Sequence, residues 1–230
     1  MISIYAEVIE MIRNENRLLS ALVLNILVIV IEAYSFFVNL FIKRNFSLEY
    51  FMYYTHISST VALLASVLIC GELTREITSP SKRTRVFFRR IRYVSVCMQA
   101  LTMLVVLCII LPTDLISGTF SLYRYANVGE YLICPVLSLV SMIVFGDYRG
   151  VTKKDALIAL VPSVVYAFVM TLLNILRVVD GPYDFLRVHN QSVFMSAVWA
   201  VVIIGGAYAV NRLIMFLSKK VNQKYINEEE

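Results

Sequence analysis

The sequence predicts an all-α, polytopic membrane protein: a single domain over residues 1–230, six transmembrane helices, and both termini in the cytoplasm. Three observations predict it. Of 230 residues, 59% are hydrophobic and only 16% charged, a balance that a soluble domain of this size does not sustain in water. The apolar residues fall into runs near the roughly 20 residues that a helix needs to cross a bilayer. Of the 21 Lys and Arg residues, 16 fall in the segments on the side of the termini and five (Lys43, Arg44, Arg124, Arg177, Arg187) on the other, which places the termini inside by the positive-inside rule.

The first span is expected over residues 18–42. The 17 residues before it carry Glu7 and Glu10 and lack a basic leader with a cleavage site, so the span itself is expected to direct insertion. The second span is expected over 48–70 and the third over 93–112. Between them, Glu72 to Arg92 contains Pro80 and the run KRTRVFFRRIR. Basic and apolar residues mixed in this way suit an interfacial segment, here 75–92, against anionic lipid headgroups, or simply a retention signal for topology.

The fourth span, 127–146, and the fifth, 156–178, contain Pro135 and Pro162, each expected to kink its helix. The sixth, 191–217, carries Gly205, Gly206 and Ala207 after Ala197 and Ala200, a strip of small residues suited to close helix contact. The outer connections, 43–46, 113–126 and 179–190, leave no room for an external domain, and Glu228 to Glu230 read as a solvated end. Cys70, Cys97, Cys108 and Cys134 lack metal or disulfide spacing and read as packing residues. No cofactor is expected, and the charge of +5 is a topology signal that gives no reason to expect nucleic acid. Nothing specifies an oligomeric state.

Polar residues inside spans are informative, because a membrane interior penalises them unless they face a partner or water. Glu32 lies roughly 15 Å below the outer end of its span and Thr55 roughly 10 Å below, at 1.5 Å per residue. Thr55, Ser58, Ser59, Ala62 and Ser66 follow i, i+3, i+4, i+7, i+11 and share one inward face, either a site or a packing seam of back-bonded hydroxyls. His56 is about 100° around the helix from Thr55 and is not paired with it. Spans two, four and six all begin outside, so three helix N-termini point toward one vestibule between spans one, two, four and six. Tyr53, Tyr54, Glu130, Tyr131, His189, Asn190, Gln191 and Ser192 lie near those starts, where an interfacial aromatic belt is the other reading.

YYTHISSTVALLAS, EYLICPVLSLVSMIVFGD and GPYDFLRVHNQS, in this order and spacing, resemble the six-helix bacterial relatives of the androgen-induced and androgen-dependent TFPI-regulating membrane proteins. The resemblance implies hydrolysis of fatty acid esters of hydroxy fatty acids by an intramembrane threonine, matched here by Thr55, with a histidine four or five residues before a proline like Pro135. This chain has Glu130 and Tyr131 at those positions.

The expected function is therefore intramembrane hydrolysis of long-chain lipid esters, or a catalytically degenerate relative of such an enzyme. Thr55 is the expected nucleophile, Glu130 or His189 the candidate base, and Glu32, Ser59, Tyr54, Tyr131 and Asn190 the substrate-binding set. The alternative is a non-catalytic protein that binds or transports a small amphiphile through the same polar residues, with Glu32 foremost; a third is a purely structural membrane scaffold. GxSxG, Walker, HExxH and paired Cys/His patterns are missing. The expected partners are membrane lipids, and the expected location is the cytoplasmic membrane of a bacterium.

Overall fold

The computed structural model describes residues 2–42, 48–79, 84–118, 128–146 and 150–227. Every regular element among them is helical. Helix α1 (Ile2–Phe37) runs into a π-helical turn, Val38–Ile42. A short 3-10 turn, Leu48–Met52, leads into α2 (Tyr54–Thr78). Helix α3 (Val86–Val105) continues through a π-helical turn into α4 (Leu111–Ile116). A further π-helical turn, Gly129–Ile133, opens α5 (Cys134–Ile143). Helix α6 (Lys153–Ile158), α7 (Val161–Ile175) and α8 (Val193–Asn227) follow.

Five helices are long and apolar enough to cross a membrane, namely Asn14–Phe37, Tyr54–Thr78, Val86–Ile116, Lys153–Ile175 and Val193–Asn222, while Gly129–Ile143 is shorter. Its contacts nevertheless carry the α5 segment along α1 from Arg17 onward and into the turn that follows it. Ser35 Oγ and Asn39 Nδ2 donate to Glu130, Asn25 Nδ2 donates to Ser141 Oγ at 2.9 Å, and Arg17 donates to the Gly146 carbonyl at 2.8 Å. From Arg17 to Asn39 is roughly 33 Å along α1 at 1.5 Å per residue, against about 30 Å of hydrocarbon.

Arg17 also bonds to Asn222 of α8, so α1 begins, and α5 and α8 end, at one end of the bundle. We call this the terminal end and the opposite one the distal end. Lys43, Arg44, Lys82, Arg83, Arg124 and Glu228 to Glu230, together with Pro80 and Asn127, lie outside the described residues.

Helix α3 is the axis of the bundle, packed against α2, α5, α6 and α8. Every residue from Ser95 to Thr102 is buried, as expected of a helix enclosed on all sides. Tyr93, Val96, Cys97 and Ala100 pack with Met142, Ala156, Ala159, Ile214 and Met215 in the largest apolar cluster.

This helix begins at Val86, not at Tyr93, because the charges ahead of Tyr93 are absorbed by the protein. Arg85 Nη2 and Arg75 Nη2 both donate to Glu72, at 2.8 and 2.7 Å, and Arg90 pairs with Asp155 at 3.0 Å. Arg92, itself buried, donates to the Ser141 carbonyl at 2.6 Å. From Val86 onward the basic run is helical and forms the first turns of α3, with Val86, Phe87 and Arg90 exposed and Arg89 and Arg92 buried. Helix α2 likewise continues past Cys70 to Thr78.

Pro135 and Pro162 each follow an interrupted stretch of helix. Cys134 N–H reaches back to the Gly129 carbonyl across a π-helical turn, and Pro162 opens α7 after the break at Ala159 and Leu160. Pro112, not anticipated as a kink, has the same arrangement, with Leu111 N–H bonded to the Val106 carbonyl. A ring that lacks a donor and crowds the carbonyl four residues back is accommodated by the extra residue in the preceding turn.

The small-residue strip of α8 departs from expectation. Ala207 is buried against Tyr54, Met98 and Leu101, but a Cβ placed on Gly205 or Gly206 would meet nothing within 4 Å, and Ala197 and Ala200 are exposed. The close interhelical approach is made at Ala207, while Ala200, on the same face seven residues earlier, borders open space between the helices and no neighbour comes near Gly205 or Gly206.

At the end of α7, Arg177 adopts φ 57°, a left-handed conformation that costs a residue with a Cβ roughly 1–2 kcal/mol. Arg177 is exposed, so replacing it has little else to disturb. Arg177→Gly should raise stability by about 0.5–1 kcal/mol after the greater unfolded-state entropy of glycine is counted, read as a higher midpoint in detergent thermal melts.

Candidate functional site

The first turns of α2 face two different centres. Successive side chains on a helix are rotated by about 100°, so Tyr54 and Thr55 enter a cavity on one side while His56 and Ser59 enter a polar cluster on the other. The expected face of Thr55, Ser58, Ser59, Ala62 and Ser66 is buried throughout. Its two edges have different neighbours.

The cavity, of about 140 Å³, lies between α2, α3, α7, α8 and the segment 183–188. Its wall is mostly apolar, with Leu101, Val105, Trp199, Ile203 and Ile204 among its residues, and hydroxyls reach it from Tyr54, Thr55, Thr102, Ser163, Tyr183 and Ser196. Most of these are held by the protein. Tyr54 OH and Ser163 Oγ are 2.7 Å apart. Ser58 Oγ lies 2.8 Å from Thr102 Oγ1, and Tyr166 OH donates to the Met52 carbonyl at 2.6 Å. Ser196 Oγ is buried with no hydrogen-bond partner among the described residues, so it remains available to a ligand.

Aromatic rings line the distal part of the cavity. Tyr54 and Tyr166 are 5.2 Å apart at their centroids, Tyr183 stacks on Phe185 at 5.1 Å, and Phe185 meets Trp199 at 5.8 Å. The segment that carries Tyr183 and Phe185 is tied down by Asn174, which is buried at the end of α7. Asn174 Oδ1 accepts from Val188 N–H at 2.9 Å and its Nδ2 donates to the Val179 carbonyl at 3.1 Å. Asn174→Leu orphans that N–H and that carbonyl. We expect a loss of roughly 2–3 kcal/mol, and earlier proteolytic cleavage within 179–190 than in the rest of the chain.

The second centre is the polar cluster between α1, α2, α3 and the α5 segment. Glu32 and Glu130 are each 2% exposed. Gln99 Nε2 donates to Glu32 Oε1 at 3.1 Å, and Ser59 and Cys134 also face Glu32. Glu130 accepts from Ser35 Oγ and from Asn39 Nδ2. Its other oxygen approaches His56 Nδ1 at 3.4 Å. The imidazole stacks on Tyr50, with centroids 4.2 Å apart and planes within 9°.

The sequence-predicted residues are thus divided. Thr55 and Tyr54 share the cavity; Glu32, Ser59 and Glu130 share the polar cluster. The single vestibule expected between spans one, two, four and six is replaced by a cavity between α2, α3, α7 and α8, and α1 and α5 build the other centre. The described contacts of Glu130 are to α1 and to His56, not to Thr55. His189 is exposed, with its Nε2 3.0 Å from the Asn174 carbonyl. Tyr131 is half-buried on the π-helical turn and Asn190 is exposed; neither lines the cavity.

Gln99, and the pairing of His56 with Glu130, escaped the reading of the sequence, as did Ser163, Tyr183 and Trp199. An amide inside an apolar span is a signal for Gln99. The cavity residues carry no such mark, because tyrosines and a tryptophan near helix ends read equally well as an interfacial belt.

Comparison of the chain with known protein families, with curated proteins and with solved structures finds no match.

Proposed function

We propose that this protein binds a single-chain amphiphile in the cavity beside Thr55, its acyl part against Leu101, Val105, Ile203 and Ile204 and its polar group against the hydroxyls. One observation carries this reading. An apolar cavity of about 140 Å³ is edged by hydroxyls, one of which, Ser196 Oγ, has no partner among the described residues. An apolar cavity of about 150 Å³ accommodates a benzene-sized group, so this one suits a headgroup with a short stretch of chain, the rest of the chain lying in lipid. Convergent polar groups in an apolar concavity are the usual form of a small-molecule site.

Thr55 contributes one neutral hydrogen bond in this reading. Thr55→Val should weaken binding of a fluorescent long-chain monoacyl ester about 3–10-fold, corresponding to about 1 kcal/mol, in purified protein. Unchanged affinity would remove Thr55 from the site.

Hydrolysis of the bound ester by Thr55 is the second reading, favoured by the placement of Thr55 on the cavity wall and by the resemblance of its motif to the lipid-ester hydrolases. A threonine hydroxyl needs a base, and the two candidates are engaged elsewhere, Glu130 with Ser35, Asn39 and His56 and His189 with Asn174. Turnover of the labelled ester by the wild type, abolished in Thr55→Ala, would favour hydrolysis over binding alone. The same proposal puts the terminal end in the cytoplasm of a bacterium, with the basic segment 75–92 toward anionic headgroups.

A further inference from the structure

We propose that Glu32, Gln99 and the Glu130–His56 pair form a proton-binding site inside the bundle, which exchanges its proton with the distal face through His56. The site is separate from the cavity beside Thr55, and nothing in the proposal depends on an amphiphile.

The partners around Glu32 favour a protonated carboxyl. Gln99 Nε2 donates to Glu32 Oε1, yet Glu32 Oε2 and Gln99 Oε1 are buried acceptors with no aligned hydrogen bond, although Ser59 and Cys134 face the carboxyl. Gln99 is 1% exposed and Glu32 2%, so bulk solvent does not serve them. A proton on the Glu32 carboxyl turns one of two unsatisfied acceptors into a donor. Unsatisfied acceptors at this depth are costly enough that a native structure keeps them only with a partner or a task.

The second acid lies beside an imidazole. Glu130 Oε1 has its donors in Ser35 and Asn39, while Oε2 faces His56 Nδ1 at 3.4 Å with no aligned hydrogen bond. A neutral imidazole with its hydrogen on Nδ1 offers Glu130 a donor and leaves Nε2 as an acceptor for an arriving proton. Imidazole is suited to relay a proton, since it accepts on one nitrogen and releases from the other.

Access follows from exposure. The His56 side chain is 14% exposed and that of Glu130 1%, so the imidazole is the member of the pair that solvent at the distal end can reach. The groups facing the site come from every surrounding element: Glu32 from α1, Tyr50 from the 48–52 turn, His56 from α2, Gln99 from α3, and Glu130 and Cys134 from the α5 segment. Arg92 lies about two turns along α3 toward the terminal end, bonded to Ser141. It does not ion-pair with either acid.

The test is infrared spectroscopy of the full chain in nanodiscs of neutral phospholipid, in potassium buffer titrated from acid to alkaline. We expect a carboxylic acid carbonyl band at neutral pH that declines on alkalinisation, shifts in heavy water and is lost in Glu32→Gln. In His56→Phe the band should remain but exchange several-fold more slowly with heavy water. A band untouched by Glu32→Gln overturns the proposal, as does one indifferent to pH and to heavy water. A band removed by sodium at constant pH overturns it in favour of a metal-cation site. Should Glu32→Gln fail to fold, dicyclohexylcarbodiimide labelling of the wild type, mapped by mass spectrometry, decides instead. A pH-dependent adduct on Glu32 or Glu130 supports the site, and no adduct on either rejects it.

Discussion

Ala167→Trp should abolish binding of a monoacyl ester, with affinity reduced more than tenfold and the fold retained. Ala167 lines the cavity from α7, in the turn after Ser163 and beside Tyr166, and it is only half-buried. An indole there turns into the space that the acyl chain needs. The cavity measures about 140 Å³, too little to hold both. Overpacking a filled core costs about 1–3 kcal/mol, but here the ring enters a void and the apolar area it buries offsets part of that cost. Thermal stability near the wild-type value together with lost binding is therefore the expected signature. Retained binding would move the ligand elsewhere.

Glu130→Leu should be the most destabilising single change in the polar cluster, by roughly 2–4 kcal/mol. The carboxylate is acceptor to Ser35 and Asn39 and faces His56; an isobutyl group takes the acceptor from the Ser35 hydroxyl, leaves Asn39 only the Ser35 carbonyl, and sets an apolar group against the imidazole in a buried setting. Removing one member of such a network exposes the desolvation cost of the others. Glu130→Gln keeps an acceptor oxygen and most of the shape, and should lose well under half as much. The pair of variants separates the network from packing, since equal losses would mean that side-chain shape, and not hydrogen bonding, holds α1 to the α5 segment. Denaturant titration followed by circular dichroism reads the difference.

The helical class and most of the crossings were legible because hydropathy reports which stretches prefer lipid, and that preference is local to each stretch. Gly129–Ile143, shorter than the five helices long enough to cross a membrane, is also the one whose reach along α1 is evident only from contacts at both of its ends. Helix ends misled wherever charge was taken as an end point. Arg89 and Arg92 are buried, so α3 passes through a run that composition assigns to the interface.

What one residue does to the next on a helix was legible too. The 100° step that separates Thr55 from His56 is the step that sends one to the cavity and the other to Glu130. Which partner waits on each side was not legible, because it depends on the rotation and depth of α1, α3, α5 and α8, which long-range packing sets. For the same reason Gly205 and Gly206 looked like a contact strip: small size permits close approach, but only the azimuth of α8 decides whether a neighbour is there.

If the space beside Thr55 holds an amphiphile, the purified chain carries it. The direct measurement is the lipid retained by the purified full chain, quantified by native mass spectrometry for the wild type, Thr55→Val and Ala167→Trp under one extraction protocol. One single-chain amphiphile per wild-type chain, less in Thr55→Val and none in Ala167→Trp is the predicted result; equal retention by all three would contradict it.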